Sequence, residues 1–584
     1  VLHASSATAD LKVTSSTLST DLRILLFVAL CCFAPFLGKA FSIDDPLFLW
    51  TAEQIRLEPA DFFGYRVNWY GYETPMHVVT MNPPLAAYYV AAVITLFGKS
   101  ESALHMSFLL PNLGLVFGAY FVARRMCQFP LVAALAMLLT PVVVVSATGV
   151  MCDTMMLALW CWAIVAWLAG LEQQRTWLLL AAGLLMGLAA LTKYFGVCLI
   201  PLLLVYTLAA RRRPGVWLLA LAVPVAMIVA YELYTRRLYG AGMFFEAQDY
   251  ASKTRAALAD RPGRQLAVFI LFLGGCYATL LCYLPIAFPI WQIAVVVLAG
   301  SGMAGALWLS DGVYGSGLSE RMFGFPIDMA SGRLVYFPLH AGVFVAAGML
   351  VTLLLINELV RRRDANSILL CLWILGTLTF TADFNWTING RSLLPAAPAI
   401  GILLARQLES RCWPWLVRDR TPLAWCAVPA LLFSLFIAWG DYRHAQSGRD
   451  AAEELYARYS ALSDPLWFEG HWGFQYYLQR LGGRPIDFSK DTLHPDDLVI
   501  VPRQNTNIYD LPTNVWNEVA RMNVQVASTT TTLRHDMGVS FYSGARGIPL
   551  PYVVANVRPE TYQIYRMLDA VTLSGNVAES AAAP

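Results

Sequence analysis

The sequence predicts a polytopic α-helical membrane protein with a small α/β domain at its C-terminal end, and three observations predict it. Of the 584 residues, 58% are hydrophobic and only 14% charged, with a mean hydropathy of +0.54, a composition foreign to soluble domains. Apolar runs near the roughly 20 residues that cross a bilayer core recur between positions 22 and 440. Beyond 440 the pattern changes to short β-like runs, such as LVIV at 498–501 and another at 551–554, with an amphipathic helical stretch over 451–462.

The formal net charge of +2 gives no reason to expect nucleic acid as a partner. The 11 cysteines lie between Cys31 and Cys426, nearly all in apolar stretches. They read as small hydrophobes, not as a disulfide framework. Residues 1–20 are rich in Ser and Thr and lack the basic region and cleavage pattern of a secretory signal. The first apolar run is therefore expected to be a retained helix, with 1–21 as an N-terminal cytoplasmic tail.

Arginine clusters orient the spans, because Lys and Arg concentrate in cytoplasmic loops. Arg23, at the N-terminal end of the run 22–40, places that end inside, so Phe41 is expected to emerge on the outer face. The run 102–123 ends at Arg124 and Arg125 and must travel inward. The intervening run 83–97, about 15 residues, is too short to cross comfortably and is expected to lie along the outer interface. Residues 41–101 then form one outer loop. The same alternation carries 130–147 out, 154–170 in, 176–192 out, 195–210 in to Arg211, Arg212 and Arg213, and 215–235 out. Next come 266–284, 290–308, and 338–360, which ends inward at Arg361, Arg362 and Arg363. Runs 367–382, 391–408 and 422–440 bring the total to about 13 spans, an odd number that leaves 441–584 outside. One stretch defies the charge rule: the loop 236–264 falls outside yet carries six basic residues against three acidic ones. Its charge is expected to serve an anion there.

Charged side chains at a membrane edge are costly and so functional candidates. Asp44 and Asp45 follow the first span in FSIDDPLFLW, and Asp153 opens the inward span after 147. Each could also cap the helix that begins there, since Asp favours that position and Pro46 favours the first turn. The alternation puts all three on one face, beside the basic loop. Such a set suits transfer of a group from a lipid-linked phosphate. One carboxylate takes the proton of an acceptor, and Arg or Lys stabilises the departing phosphate. A single displacement of this kind inverts the sugar carbon.

These motifs resemble, in order, those of a known family. Asp44 and Asp45 follow the first helix; Asn82, Pro83, Pro84 and Leu85 precede a helix ending at Phe97 and Gly98. Arg124 and Arg125 then close the next span, followed by Asp153 with Thr154, Leu191 with Thr192 and Lys193, and Arg391 with Leu394, Pro395 and Pro398. The set looks like the GT-C membrane glycosyltransferases of the protein O-mannosyltransferase and lipid A aminoarabinose transferase type, and covers 22–410. The resemblance implies a polyprenyl-phosphate-linked sugar donor, an unknown acceptor on the outer face, and Asp44 as base, with Asp45 and Asp153 as orienting or acceptor-binding acids. It implies Lys193 and Arg391 near the donor phosphate; Arg255 and Arg261 of the basic loop are added as candidates. Asn82, Tyr65 and His77 are expected to line the substrate site. For Lys193 and Arg391 the plainer readings are a snorkelling lysine and an interfacial anchor. The chain departs from the family in two places. Asp45 stands where Glu is frequent, and Asn82 stands where aminoarabinose transferases carry a lysine, which weighs against that donor.

Aromatic residues crowd the outer loop and the tail, where an interfacial belt explains them as well as sugar stacking does. His77, His471 and His494 have no metal-ligand spacing; no cofactor is required, although the acids could hold a divalent cation. The run FEGHWGFQYYLQRLGG at 468–483 has no assigned role. The competing class, a transporter or flippase of lipid-linked anions, calls for mid-membrane charges and matching halves, and neither is evident.

Overall fold

The computed structural model describes residues 15–211, 215–258, 262–327, 332–416, 421–512, 514–545 and 547–573. Every apolar run expected to span is helical. Among the described residues nine helices are long and apolar enough to cross a membrane, or ten if Gly263–Cys276 and Ala278–Ala287, bent by 62°, form one span. Three further runs fall short of that test. Pro130–Leu138 and Pro141–Ser146 are two short helices because Thr140 is extended before Pro141, as the proline ring demands of its predecessor. Thr176–Thr192 has only 17 residues, and Ala397–Leu416 carries Arg406, Glu409 and Arg411. The chain is a multi-pass membrane protein.

The basic ends of several spans meet on one side of the bundle. Arg125 pairs with Glu172, Arg211 donates to the Leu171 carbonyl, and Arg362 lies 3.6 Å from Glu409. Buried Arg406 pairs with Glu358 at 2.9 Å. Small residues let helices approach closely elsewhere, as membrane packing favours. Gly300 and Gly342 face one another so tightly that a Cβ on either would come within 2.8 Å of the other's carbonyl.

Residues 41–101 form a folded layer. Helix Asp45–Leu57 packs against Leu85–Phe97, with a hairpin of Arg66–Asn68 and Glu73–Pro75 between them. The expected short helix is present as Leu85–Phe97; it buries Val90 and Ile94 and leaves Leu96 and Phe97 exposed.

The C-terminal region holds a five-stranded mixed sheet in the order Arg484–Pro485, Trp467–Phe468, Leu498–Pro502, Glu560–Met567, Trp516–Val524. The first three strands run parallel, and Glu560–Met567 is antiparallel to both neighbours. Helix Trp472–Leu481 packs on Thr421–Tyr459 and on Asp45–Leu57. The expected domain boundary at 440/441 falls inside Thr421–Tyr459, one helix of 39 residues. At 1.5 Å per residue it is about 58 Å long, against about 30 Å of hydrocarbon, so it continues well beyond the bilayer. The tail also reaches back: Val539, Phe541, Leu550 and Tyr552 belong to the main helical core.

Glu469, at the head of the unassigned motif, is 4% exposed. Its Oε2 accepts the Tyr509 amide at 2.8 Å, and its buried Oε1 has no partner among the described residues. Burial pushes its carboxyl up to about 8. The folded chain therefore holds a proton that the unfolded chain has released above about 4.5, and stability from this group is full below that value and lost as pH rises through about 8. Glu469→Gln should flatten the fall in melting temperature between pH 5 and 9 and leave the variant the more stable at the alkaline end, as read by thermal melting in detergent over about that range.

Candidate active site

A cavity of about 1900 Å³ opens where the outer-loop layer, the helix starts and the C-terminal region meet. Asp44, Asn82, Asp153, Lys193, Arg255 and Arg391 all line it. Six predicted site residues from six segments of the chain thus share one space.

The two adjacent acids of FSIDDPLFLW have opposite fates. Asp45 is fully buried; its Oδ2 accepts the Ser42 amide and its Oδ1 the Val150 amide, both at 2.9 Å. It ties the first loop to the turn before Asp153. Burial pushes its carboxyl up to about 6 against the pull of Lys39 and those amides. Asp45 is outside the cavity lining, so the role of orienting or acceptor-binding acid expected for it passes to structure. Asp44 occupies the cap position of helix Asp45–Leu57, yet its side chain makes no cap hydrogen bond. Its Oδ2 instead accepts from Arg391 Nη2 at 2.8 Å. Ile43, just before the two acids, has φ 51°. A β-branched residue at positive φ is a local cost, of the kind held at functional sites.

Asp153 lies in the first turn of Cys152–Gln173, 2% exposed, and its Oδ1 accepts from Lys193 Nζ. Lys193 sits where helix Thr176–Thr192 ends and an extended residue leads into Tyr194–Cys198. Arg391 belongs to the short helix Gly390–Leu393, started by Asn389, whose Oδ1 accepts the Ser392 amide at 2.8 Å. Its Nη1 points at Met151 Sδ, 2.9 Å away, and its guanidinium lies 5.5 Å from the centroid of the Tyr542 ring. Arg391 Nε is buried without a partner among the described residues. Asp44 and Asp153 are therefore each faced by a cation, and Arg391 keeps a donor in hand.

The remaining expectations fare differently. Arg255 lines the cavity but donates to the carbonyls of Asn385, at 2.8 Å, and Ala382 and to Gln265 Oε1 at 3.2 Å. It fastens helix Met243–Leu258 to the turn after the span Ala365–Phe384, because backbone oxygens lie within reach of its fork. Arg261 lies outside the described residues. Asn82 lines the cavity and accepts from Cys152 Sγ at 3.5 Å. Tyr65 and His77 do not line it: Tyr65 pairs with Thr51 Oγ1 at 2.9 Å, and His77 stacks on Tyr239 with centroids 4.8 Å apart. Among the described residues no group of three or more His, Cys, Asp or Glu side chains is gathered for a metal. Tyr542 and Asn385 also line the cavity and went unremarked in the sequence, and so does Trp472, of the unassigned run 468–483. Only Asn389, three residues before Ser392 at a helix start, left a readable capping signal there.

Residues 81–234 match a family model described as dolichyl-phosphate-mannose-protein mannosyltransferase. The matched stretch takes in Asn82, Asp153 and Lys193; Asp44 and Arg391 fall outside it. No curated protein matches the chain. Among solved structures, it is similar to ArnT from Cupriavidus metallidurans bound to undecaprenyl phosphate. That pair is 15% identical with a TM-score of 0.41, over 84% of this chain and 94% of that one. It is also similar to the archaeal oligosaccharyltransferase AglB from Archaeoglobus fulgidus in complex with an inhibitory peptide and a dolichol-phosphate. Here identity is 13% and the TM-score 0.45, over 80% of this chain and 64% of that one.

The Asp153 carboxylate depends on Lys193, since removing one partner of a buried pair leaves the other charge uncompensated at about 3–5 kcal/mol. Lys193→Met should lower the melting temperature clearly, and adding Asp153→Asn to the same chain should recover most of the loss.

Proposed function

We propose that the chain is an integral-membrane, inverting glycosyltransferase that moves a sugar from a polyprenyl-phosphate donor to an acceptor hydroxyl or amine at the outer face of the cytoplasmic membrane. The observation that carries the reading is the meeting of two carboxylate–cation pairs, Asp44 with Arg391 and Asp153 with Lys193, on the wall of one large cavity. The family match over 81–234 supports the reaction class.

A lipid donor suits the shape of the cavity. Leu372, Leu375, Gly376 and Thr379 line it at the spacing of a single helix face. That face runs about 10 Å along the span at 1.5 Å per residue. Leu372 and Leu375 are 40% and 42% exposed, so the cavity continues as an apolar track fit for a polyprenyl chain. The outer-face assignment is supported by the gathering of Arg125, Arg211 and Arg362 at the span ends opposite Asp153.

The chemistry follows from the pairing. A donor phosphate entering the cavity competes with Asp44 for Arg391, whose unpartnered Nε–H is a further donor for it. As Arg391 turns to the phosphate, Asp44 is released as a base. It takes the acceptor proton while the acceptor lone pair bonds to the anomeric carbon. The bond from that carbon to the phosphate oxygen breaks, and its electron pair stays on the departing polyprenyl phosphate. Arg391 and Lys193 meet the charge that builds there. Asp153 holds Lys193 in place. Loss of a general base costs typically about 10² to 10⁴ in rate.

Purified protein offered a panel of polyprenyl-phosphate sugars, with products weighed by mass spectrometry, should give a transferred sugar of inverted configuration. Asp44→Asn should cut turnover by about 10² or more in a chain that still gives a cooperative melt. A wild-type chain that transfers nothing from any donor would end the reading, and full activity in Asp44→Asn would end the assignment of the base.

A further inference from the structure

The mechanism above leaves open what holds Arg391 ready between a carboxylate and a phosphate. The segment just before it, 387–390, is gripped by the C-terminal region. Gly390 N–H donates to the Phe541 carbonyl at 2.8 Å, Gly544 N–H donates to the Ile388 carbonyl at 2.6 Å, and the hydroxyls of Thr387 and Ser543 lie 3.2 Å apart. A Cβ on Gly390 would come within 2.4 Å of the Phe541 ring, so only glycine admits this contact. Between these bonds Tyr542 presents its ring to the Arg391 guanidinium, 5.5 Å from the centroid, a geometry in which the ring face attracts the cation.

The ring is itself fixed at its far end. Tyr542 OH donates to Asp441 Oδ1 at 2.9 Å, where Thr532 Oγ1 also donates at 2.5 Å. The other oxygen, Oδ2, takes Lys39 Nζ at 2.5 Å, and Lys39 donates to Thr148 Oγ1 at 3.2 Å. Lys39 and Asp441 are 1% and 2% exposed. The tyrosine is thus anchored to the ends of the first and last spans and to the C-terminal region at once.

We infer that Tyr542 is a positioning residue for Arg391, so that the C-terminal region completes the donor-phosphate half of the site. This rests on the glycosyltransferase reading. Losing the ring frees the guanidinium to leave the position in which Nη2 meets Asp44 and Nη1 meets Met151, while keeping the ring without its hydroxyl preserves most of the effect.

The test is a double-mutant cycle on binding of polyprenyl phosphate without a sugar, by titration calorimetry in detergent. Tyr542→Met should weaken binding about tenfold in the wild-type background and less than about twofold beside Arg391→Gln, because the residue acts through Arg391. Tyr542→Phe should stay within about threefold of wild type, the rescue that ring contact predicts. Gly390→Ala, which forces apart the same two segments, should show the same dependence on Arg391 and serves should the methionine variant not fold. Equal losses in both backgrounds, or wild-type affinity in Tyr542→Met, would overturn the inference. A wild type that binds polyprenyl phosphate with this coupling but transfers no sugar removes the functional reading alone; a wild type that binds none removes both.

Discussion

A charge taken out of water must meet its opposite or be given up, because the cost of leaving it alone runs to several kcal/mol. This constraint shapes the molecule where an apolar bundle is opened by a polar cavity. Lys39 with Asp441, Lys193 with Asp153, and Arg391 with Asp44 each join segments far apart in sequence. They differ in exposure. Lys39 and Asp441 are sealed at 1% and 2%, whereas Arg391 and Asp44 keep 15% and 27% of their side-chain surface. The sealed pair suits permanent bracing. The open pair can exchange partners, as the proposed base and phosphate-binding cation must do in turn.

Much of this was legible in the sequence because ionisable residues in apolar surroundings are conspicuous. Asp153, Lys193 and Arg391 stand out against long runs of Leu, Ala and Val, and the structure brings them to one cavity. The helical runs were legible for the same reason. Their lengths were less so: Pro141 breaks one run and a 62° bend divides another, features set by local backbone and neighbouring helices.

What the sequence left open follows from the limits of the same signals. Asp44 and Asp45 are adjacent and chemically alike, yet one carboxylate meets Arg391 at the cavity and the other meets two buried amides. A cluster of basic residues declares charge but not its partner, so Arg255 could not be foreseen as a fastening between backbone carbonyls. Tyr65 and His77 share a loop with the acids, yet the hairpin between them sets both away from the cavity. Tyr542 is a lone tyrosine far down the chain, and nothing local announces that it returns to the membrane core. Lys39 was the overlooked clue: a lysine at the end of the first apolar run that the alternation puts outside runs against the usual charge bias, and Asp441, just past the last run, is its counterpart.

The helix Thr421–Tyr459 carries Asp441 near its middle and has no break along its 39 residues. Its first half lies in hydrocarbon and its second half leans on the sheet domain. Lipid thickness acts on membrane helices by tilting them, at fractions of a kcal/mol per Å of mismatch. A tilt of this lever swings Asp441 and, through the Tyr542 hydroxyl, the floor beneath the guanidinium. Helix and hydroxyl thus make one mechanical path from the lipid-facing bundle to the cavity wall where Arg391 sits.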